Sequence, residues 1–175
     1  MAMNNFADRL INAIDEKKNP SVAGIDPAIG NLPPHIVEKY MKESSLNEFE
    51  AAAEAVLEFG KGIVDAVSGI VPAVKLQSAY YEQLGPAGVK AFLGTIEYAK
   101  ANSLIVIADV KRNDIGSTSE AYSNAYLGRV GLPSGKKAVF DADALTVNSY
   151  LGYDGMKPFI DDCEKYGKGL FSLVK

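Results

Sequence analysis

Five short apolar runs, each closing on a polar residue or running into one, and each separated from the next by helical periodicity, restrict the folds open to this chain. They are Ser21 to Asp26, Pro72 to Gln77, Leu104 to Val110, Asp143 to Asn148 and Gly169 to Val174. The clearest is Leu104-Ile-Val-Ile-Ala-Asp-Val110, continuous and rich in β-branched residues, as suits a strand buried on both faces. Between the runs, Phe6, Leu10, Ile11 and Ile14 lie on one stripe of a helix over Asn4 to Lys17, and His35 to Met41 forms a short one. Phe49, Ala53, Val56, Leu57, Ile63, Val64 and Val67 predict a helix within 46–67. Further helices are expected over Gly88 to Ala101, from a Ser117-Thr-Ser-Glu120 capping box to about Leu127, and over Gly155 to Tyr166. No hairpin is expected. Apolar strands each followed by a helix build a parallel sheet covered by helices.

Two α/β architectures meet that description. A doubly wound sheet announces itself by a glycine-rich phosphate turn after its first strand, and Ile25-Asp-Pro-Ala-Ile-Gly30 is not one. A (β/α)8 TIM barrel explains more, because Asp26, Lys75, Asp109 with Lys111, and Thr146 with Asn148 all fall at carboxyl ends of strands, where barrels carry their chemistry. A complete barrel takes roughly 250 residues and eight strand–helix units. This chain offers five strands and stops at Lys175, so the expectation is a single domain over residues 1–175, the N-terminal portion of a longer barrel.

Composition narrows the chemistry. Eighteen Lys and Arg against 22 Asp and Glu leave a net charge of −4 with no basic face, which disfavours nucleic acid as a partner. No apolar run is long enough to cross a bilayer, and Met1 to Arg9 lack a signal pattern, so the expected compartment is the cytoplasm. A lone Cys163 and a lone His35 provide no disulfide and no His/Cys cluster for a metal. Carboxylates, lysines and hydroxyls remain.

Those groups concentrate in Asp109-Val-Lys-Arg-Asn-Asp114-Ile-Gly-Ser-Thr118. Residues two apart on a strand share a face, so Asp109 and Lys111 are expected to project together, with Asp114 in the following turn. Adding Lys75 from the second strand predicts an alternating row of two cations and two anions, each flanked by its opposite. The competing reading is an ion-pair network that merely closes a barrel end, a weak source of stability given its desolvation cost. Asp26 ends the first strand, where it can hold a sugar hydroxyl or start a turn before Pro27. Thr146, Asn148 and Ser149 can read the edge of a heterocycle or cap the next helix. His35 reads as solvated, Cys163 as a core or boundary thiol, Tyr80 and Tyr81 as packing, and Lys136-Lys137 as a solvated pair in a loop.

The string Asp109-x-Lys111-x-x-Asp114 with Ile115-Gly-Ser-Thr118 resembles the signature of orotidine 5′-phosphate decarboxylase. Val22-Ala-Gly-Ile-Asp-Pro27, Val74-Lys-Leu-Gln-Ser-Ala-Tyr-Tyr81 and Ala144-Leu-Thr-Val-Asn-Ser-Tyr-Leu-Gly152 resemble that family's longer bacterial subgroup. The likeness runs from about Phe6 to Lys175. It implies cofactor-free decarboxylation of orotidine monophosphate to uridine monophosphate, in pyrimidine and UMP biosynthesis, by a homodimer with shared active sites. It further implies that Lys111 donates the proton, Asp109 lies against the departing carboxylate, Lys75 orders the charge row and contacts the ribose, and Asp26 holds a ribose hydroxyl. Asp114, Ile115 and Thr118 would belong to the site, with Asp114 and Thr118 reaching the partner's, and the pyrimidine edge would be met near Asn148 and Ser149. The family's later strands supply a Gln and an Arg at the phosphate, which this sequence lacks. The expectation is that the chain is inactive by itself unless a complementary C-terminal fragment joins it. The acid-x-Lys-x-x-acid string is shared with magnesium-dependent sugar-phosphate decarboxylases and synthases of related barrels, which place an acid where this chain has Lys75. A non-catalytic barrel fragment is the remaining alternative.

Overall fold

A computed structural model describes residues 5–174; Asn4 and Lys175, at the ends of the expected first helix and of the chain, lie outside the described residues. In chain order the elements are α1 (Phe6–Lys17), β1 (Val22–Ile25), α2 (Pro34–Met41), α3 (Glu48–Val67), β2 (Ala73–Gln77), α4 (Ala79–Glu82), α5 (Gly85–Ala101) and β3 (Ile105–Arg112). They continue with α6 (Gly116–Tyr126), β4 (Val130–Leu132), β5 (Gly135–Lys137), β6 (Ala144–Asn148), α7 (Tyr153–Tyr166) and β7 (Gly169–Leu173). None of the described helices is long and apolar enough to cross a membrane.

The described residues pack as two compact units, 17–105 and 5–16 with 106–174. In the first, β1 and β2 run parallel with Gly24 opposite Lys75 and Ile25 opposite Leu76. α3 begins at a reciprocal cap, Asn47 accepting from the Glu50 amide while the Glu50 carboxylate accepts from the Asn47 amide. Its Val56 and Val64, with Phe92, Ile96 and Ala99 of α5, are withdrawn from solvent. Tyr81 is fully buried edge-on against Phe92, in the packing role expected for it.

In the second unit β3, β6 and β7 form a parallel ladder. Val106, Ala108, Leu145 and Val147 are wholly buried, which accounts for runs that are apolar throughout rather than alternating. At the amino-terminal end of this ladder Asp143 accepts from the Val106 amide at 3.0 Å and from Arg9 Nη1 at 2.8 Å, while Arg9 Nη2 donates to the Gly167 carbonyl.

Three local expectations need correction. Ser117 is not a cap: α6 already begins at Gly116 after an extended Ile115 that has no side-chain cap bond, and the Ser119 hydroxyl donates back to the Asp114 carbonyl. A hairpin does exist, β4 pairing antiparallel with β5 across Pro133 and Ser134, so Lys136 and Lys137 lie on a strand. Its three-residue strands are too short for a period of two to show, and Gly135, at φ 109°, takes up the turn. Finally, α5 and α7 start earlier than Gly88 and Gly155, and α4 precedes α5.

Candidate active site

β3 places the motif. Asp109 is 5% exposed, near the carboxyl end of a strand whose preceding residues are buried on both faces. Its Oδ1 accepts from Lys111 Nζ at 2.5 Å and from the Thr146 hydroxyl at 2.8 Å. The two charges therefore meet as expected, although simple alternation is not the cause. The register between β3 and β6 jumps from Ala108 opposite Leu145 to Arg112 opposite Val147, and Lys111 takes φ 48°. A bulge of this kind bends the strand and re-aims a side chain. Here it turns the lysine stem so that its ammonium reaches the carboxylate while 47% of the side chain stays exposed.

Asp114 lies in the short loop between β3 and α6, half-buried, its Oδ1 accepting from the Ile115 amide at 2.8 Å. α7 holds that loop by close approach. A Cβ on Gly155 would stand 2.6 Å from the Asp114 carbonyl oxygen, so only glycine fits there. Ile115 is 66% exposed, and Thr118 is half-buried one turn into α6.

Thr146 does not face outward to read a ring. It is 8% exposed, and its oxygen accepts from the amides of Val110 and Lys111, each at 3.0 Å, while its proton goes to Asp109. A hydroxyl has two acceptor positions and one donor, so nothing remains for a ligand. Asn148 shapes the turn after β6, its Oδ1 accepting from the Tyr150 amide at 2.9 Å, and the Ser149 carbonyl accepts from Gly152. The helix-capping role is not theirs, since α7 follows Gly152.

In the other unit Lys75 is half-buried in β2, and Asp26 is exposed directly after β1. The expectation that both end their strands holds for Asp26 alone: Lys75 stands at the middle of β2, opposite Gly24, with Leu76 and Gln77 still to follow in the strand. His35 is exposed and Cys163 half-buried, as expected for a solvated and a boundary residue. Burial pushes the Cys163 thiol up to about 12, with the neighbouring Asp162 carboxylate adding to the effect.

Sequence reasoning missed Arg112. Its guanidinium lies 5.3 Å from the ring centroid of Tyr122 and 5.8 Å from that of Tyr126, which ties the end of β3 to α6. A signal was present, because residues four apart share a helix face and two tyrosines at that spacing offer a slot for a cation. It also missed Arg9 and Asp143, 134 positions apart, for which no local pattern exists.

Comparison with known proteins gives the chain a family. Residues 57–175 match the model of the orotidine 5′-phosphate decarboxylase / HUMPS family. An orotidine 5′-phosphate decarboxylase of Caldicellulosiruptor saccharolyticus is 45% identical over 174 residues, covering 99% of this chain and 56% of that protein. One of Rhodopirellula baltica is 42% identical over 174 residues, covering 99% of this chain and 55% of that protein. The chain thus spans about half the length of the curated relatives it matches. Among solved structures, a Streptomyces avermitilis protein under the same description is 32% identical with a TM-score of 0.75, covering 98% of this chain and 53% of that one. A Plasmodium berghei structure at 20% identity and TM-score 0.78, covering 97% of this chain and 61% of that one, shares the fold. The architecture is accordingly the α/β TIM barrel, of which this chain supplies about five strand–helix units. With the signature at β3 and the likeness running along almost the whole sequence, the chain belongs to the orotidine 5′-phosphate decarboxylase / HUMPS family.

Proposed function

We propose that the polypeptide carrying this chain decarboxylates orotidine 5′-monophosphate to uridine 5′-monophosphate without a cofactor, as a step of pyrimidine synthesis in the cytoplasm. The observation that carries the reading is the Lys111 ammonium held against the buried Asp109 carboxylate at the carboxyl end of β3.

Breaking the bond between the ring carbon and its carboxylate leaves the electron pair on that carbon as carbon dioxide departs. No cofactor is there to spread the charge, so catalysis must come from a group that binds the developing carbanion more tightly than the substrate. Lys111 is suited to it: a compact, fixed ammonium attracts the carbanion and then gives it a proton. Asp109 orients that ammonium, and the family likeness sets its carboxylate against the departing one, where like charges repel. The family likeness gives Lys75 and Asp26 contacts with the ribose, and Asn148 and Ser149 the pyrimidine edge. It also makes the active assembly a homodimer in which Asp114 and Thr118 serve the partner's site. Exposed Ile115, Tyr150 at 88% and Tyr153 at 67% supply apolar surface for such an interface on the same unit. Residues 1–175 then count as one domain, the N-terminal portion of the barrel.

The test is the fall in absorbance of orotidine monophosphate on adding the polypeptide. Turnover should persist in a chelator, and Lys111→Ala should lower it by roughly a hundred- to a thousandfold or more. Activity that vanished with the chelator would favour the magnesium-dependent sugar-phosphate enzymes of related barrels instead.

A further inference from the structure

The bulge in β3 raises a question the decarboxylase reading leaves open, namely what holds a lysine backbone at φ 48° and keeps its ammonium on Asp109. A residue other than glycine in this region is strained, and such strain persists only where surrounding contacts impose it. Between the register pairs Ala108 with Leu145 and Arg112 with Val147, three residues of β3 stand opposite Thr146 alone. The amides of Val110 and Lys111 both point at its hydroxyl oxygen, each at 3.0 Å. Since those two donors fill the oxygen's acceptor positions, its one proton has a fixed destination, Asp109 Oδ1 at 2.8 Å. One buried hydroxyl thereby sets the backbone that aims Lys111 and the carboxylate that receives it.

We propose that Thr146 is a positioning residue of the decarboxylation centre: its hydroxyl pins the β3 bulge and the Asp109 carboxylate together, fixing where the Lys111 ammonium is presented. The proposal rests on the decarboxylase reading for its effect on turnover, and on the hydrogen-bond geometry alone for its effect on the bulge. Thr146 touches no substrate; it acts through Asp109 and Lys111.

Two substitutions separate this role from simple packing. Thr146→Val keeps the volume and removes the hydroxyl, whereas Thr146→Ser keeps the hydroxyl and removes a methyl group. If the hydroxyl positions the pair, Thr146→Val lowers kcat roughly ten- to a hundredfold, the loss of one hydrogen bond to a charged group, with KM nearly unchanged. Thr146→Ser should recover most of that turnover. A packing role reverses the order, with Ser the worse of the two, and that outcome overturns the proposal, as does wild-type kcat in Thr146→Val. Amide hydrogen exchange at Val110 and Lys111 gives a readout that needs no activity. Both amides should be protected in the wild type and in Thr146→Ser, and lose protection in Thr146→Val; rapid exchange of both in the wild type refutes the latch even if Thr146→Val fails to fold. Should the full wild-type polypeptide that carries this chain leave orotidine monophosphate untouched, the decarboxylase reading falls, and the exchange result by itself decides whether Thr146 pins the bulge.

Discussion

Lys111 carries its charge on a backbone that favours glycine, so its contributions to stability and to chemistry should oppose each other. Lys111→Gly and Lys111→Ala both remove the ammonium, but only glycine relieves the left-handed strain. Glycine should therefore be the more stable of the two by about 1 kcal/mol in denaturant unfolding, with both equally inactive. Cys163 yields a second prediction at this scale. With its folded-state value near 12 against an ordinary 9.0, the thiol stays protonated in the native protein. Alkylation at pH 8 should thus be far slower for the folded chain than for the chain in urea, since only about one thiol in ten thousand is then ionised. The sign follows from linkage: the contribution favours folding below pH 9 and fades as pH rises through about 12. Much of the residue chemistry was legible, because Asp109, Lys111 and Asp114 sit within six positions of one another. Thr146 reads in the sequence as a strand-end group for a ring edge, whereas its hydroxyl is taken up by Val110, Lys111 and Asp109. Nothing local showed that a bulge 35 positions earlier would turn two amides toward its hydroxyl.

At the scale of elements, the parallel strands were readable because burial on both faces leaves them apolar from end to end. The β4–β5 hairpin was not, since its strands are exposed for most of their length and carry no pattern that burial would impose. The α6 start was misplaced for a related reason: a Ser-x-x-Glu string caps only where the preceding loop ends one residue before it, and that loop is set by the packing of Asp114 against Gly155. The same contact leads to a prediction. Gly155→Ala brings a methyl group to 2.6 Å from the Asp114 carbonyl, so the loop must shift. The variant should lose about 1–3 kcal/mol of stability, together with activity, by displacing Asp114. Asp143→Ala should behave differently. It leaves the Val106 amide without its carboxylate and Arg9 without its partner, at the amino-terminal end of the ladder, away from Asp109. Thermal unfolding should register a loss of about 1–3 kcal/mol, with kcat of the folded fraction retained.

For the whole molecule, the proposed homodimer would build each active site from two copies, which mixing can test. Lys111→Ala and Asp114→Ala assemblies should each be inactive alone. Exchanging subunits between them should restore about one quarter of wild-type activity, because half of the dimers are mixed and each holds one intact site. Equal mixtures that stay inactive despite exchange would place Asp114 in its own chain's site. The architecture at this scale followed from five strands with polar carboxyl ends, a pattern that barrels impose because their chemistry sits at that end.

The centre built on Asp109 and Lys111 is tested most directly by turnover in deuterium oxide with carboxyl-labelled orotidine monophosphate, following the nucleotide by NMR. The decarboxylase reading requires labelled carbon dioxide and uridine monophosphate in equal amounts, the ring carbon that lost the carboxylate carrying a single deuterium, and both products formed at least about a hundredfold more slowly with Lys111→Ala. Orotidine monophosphate recovered intact from the full wild-type polypeptide, or deuterated product formed just as fast by Lys111→Ala, would contradict it.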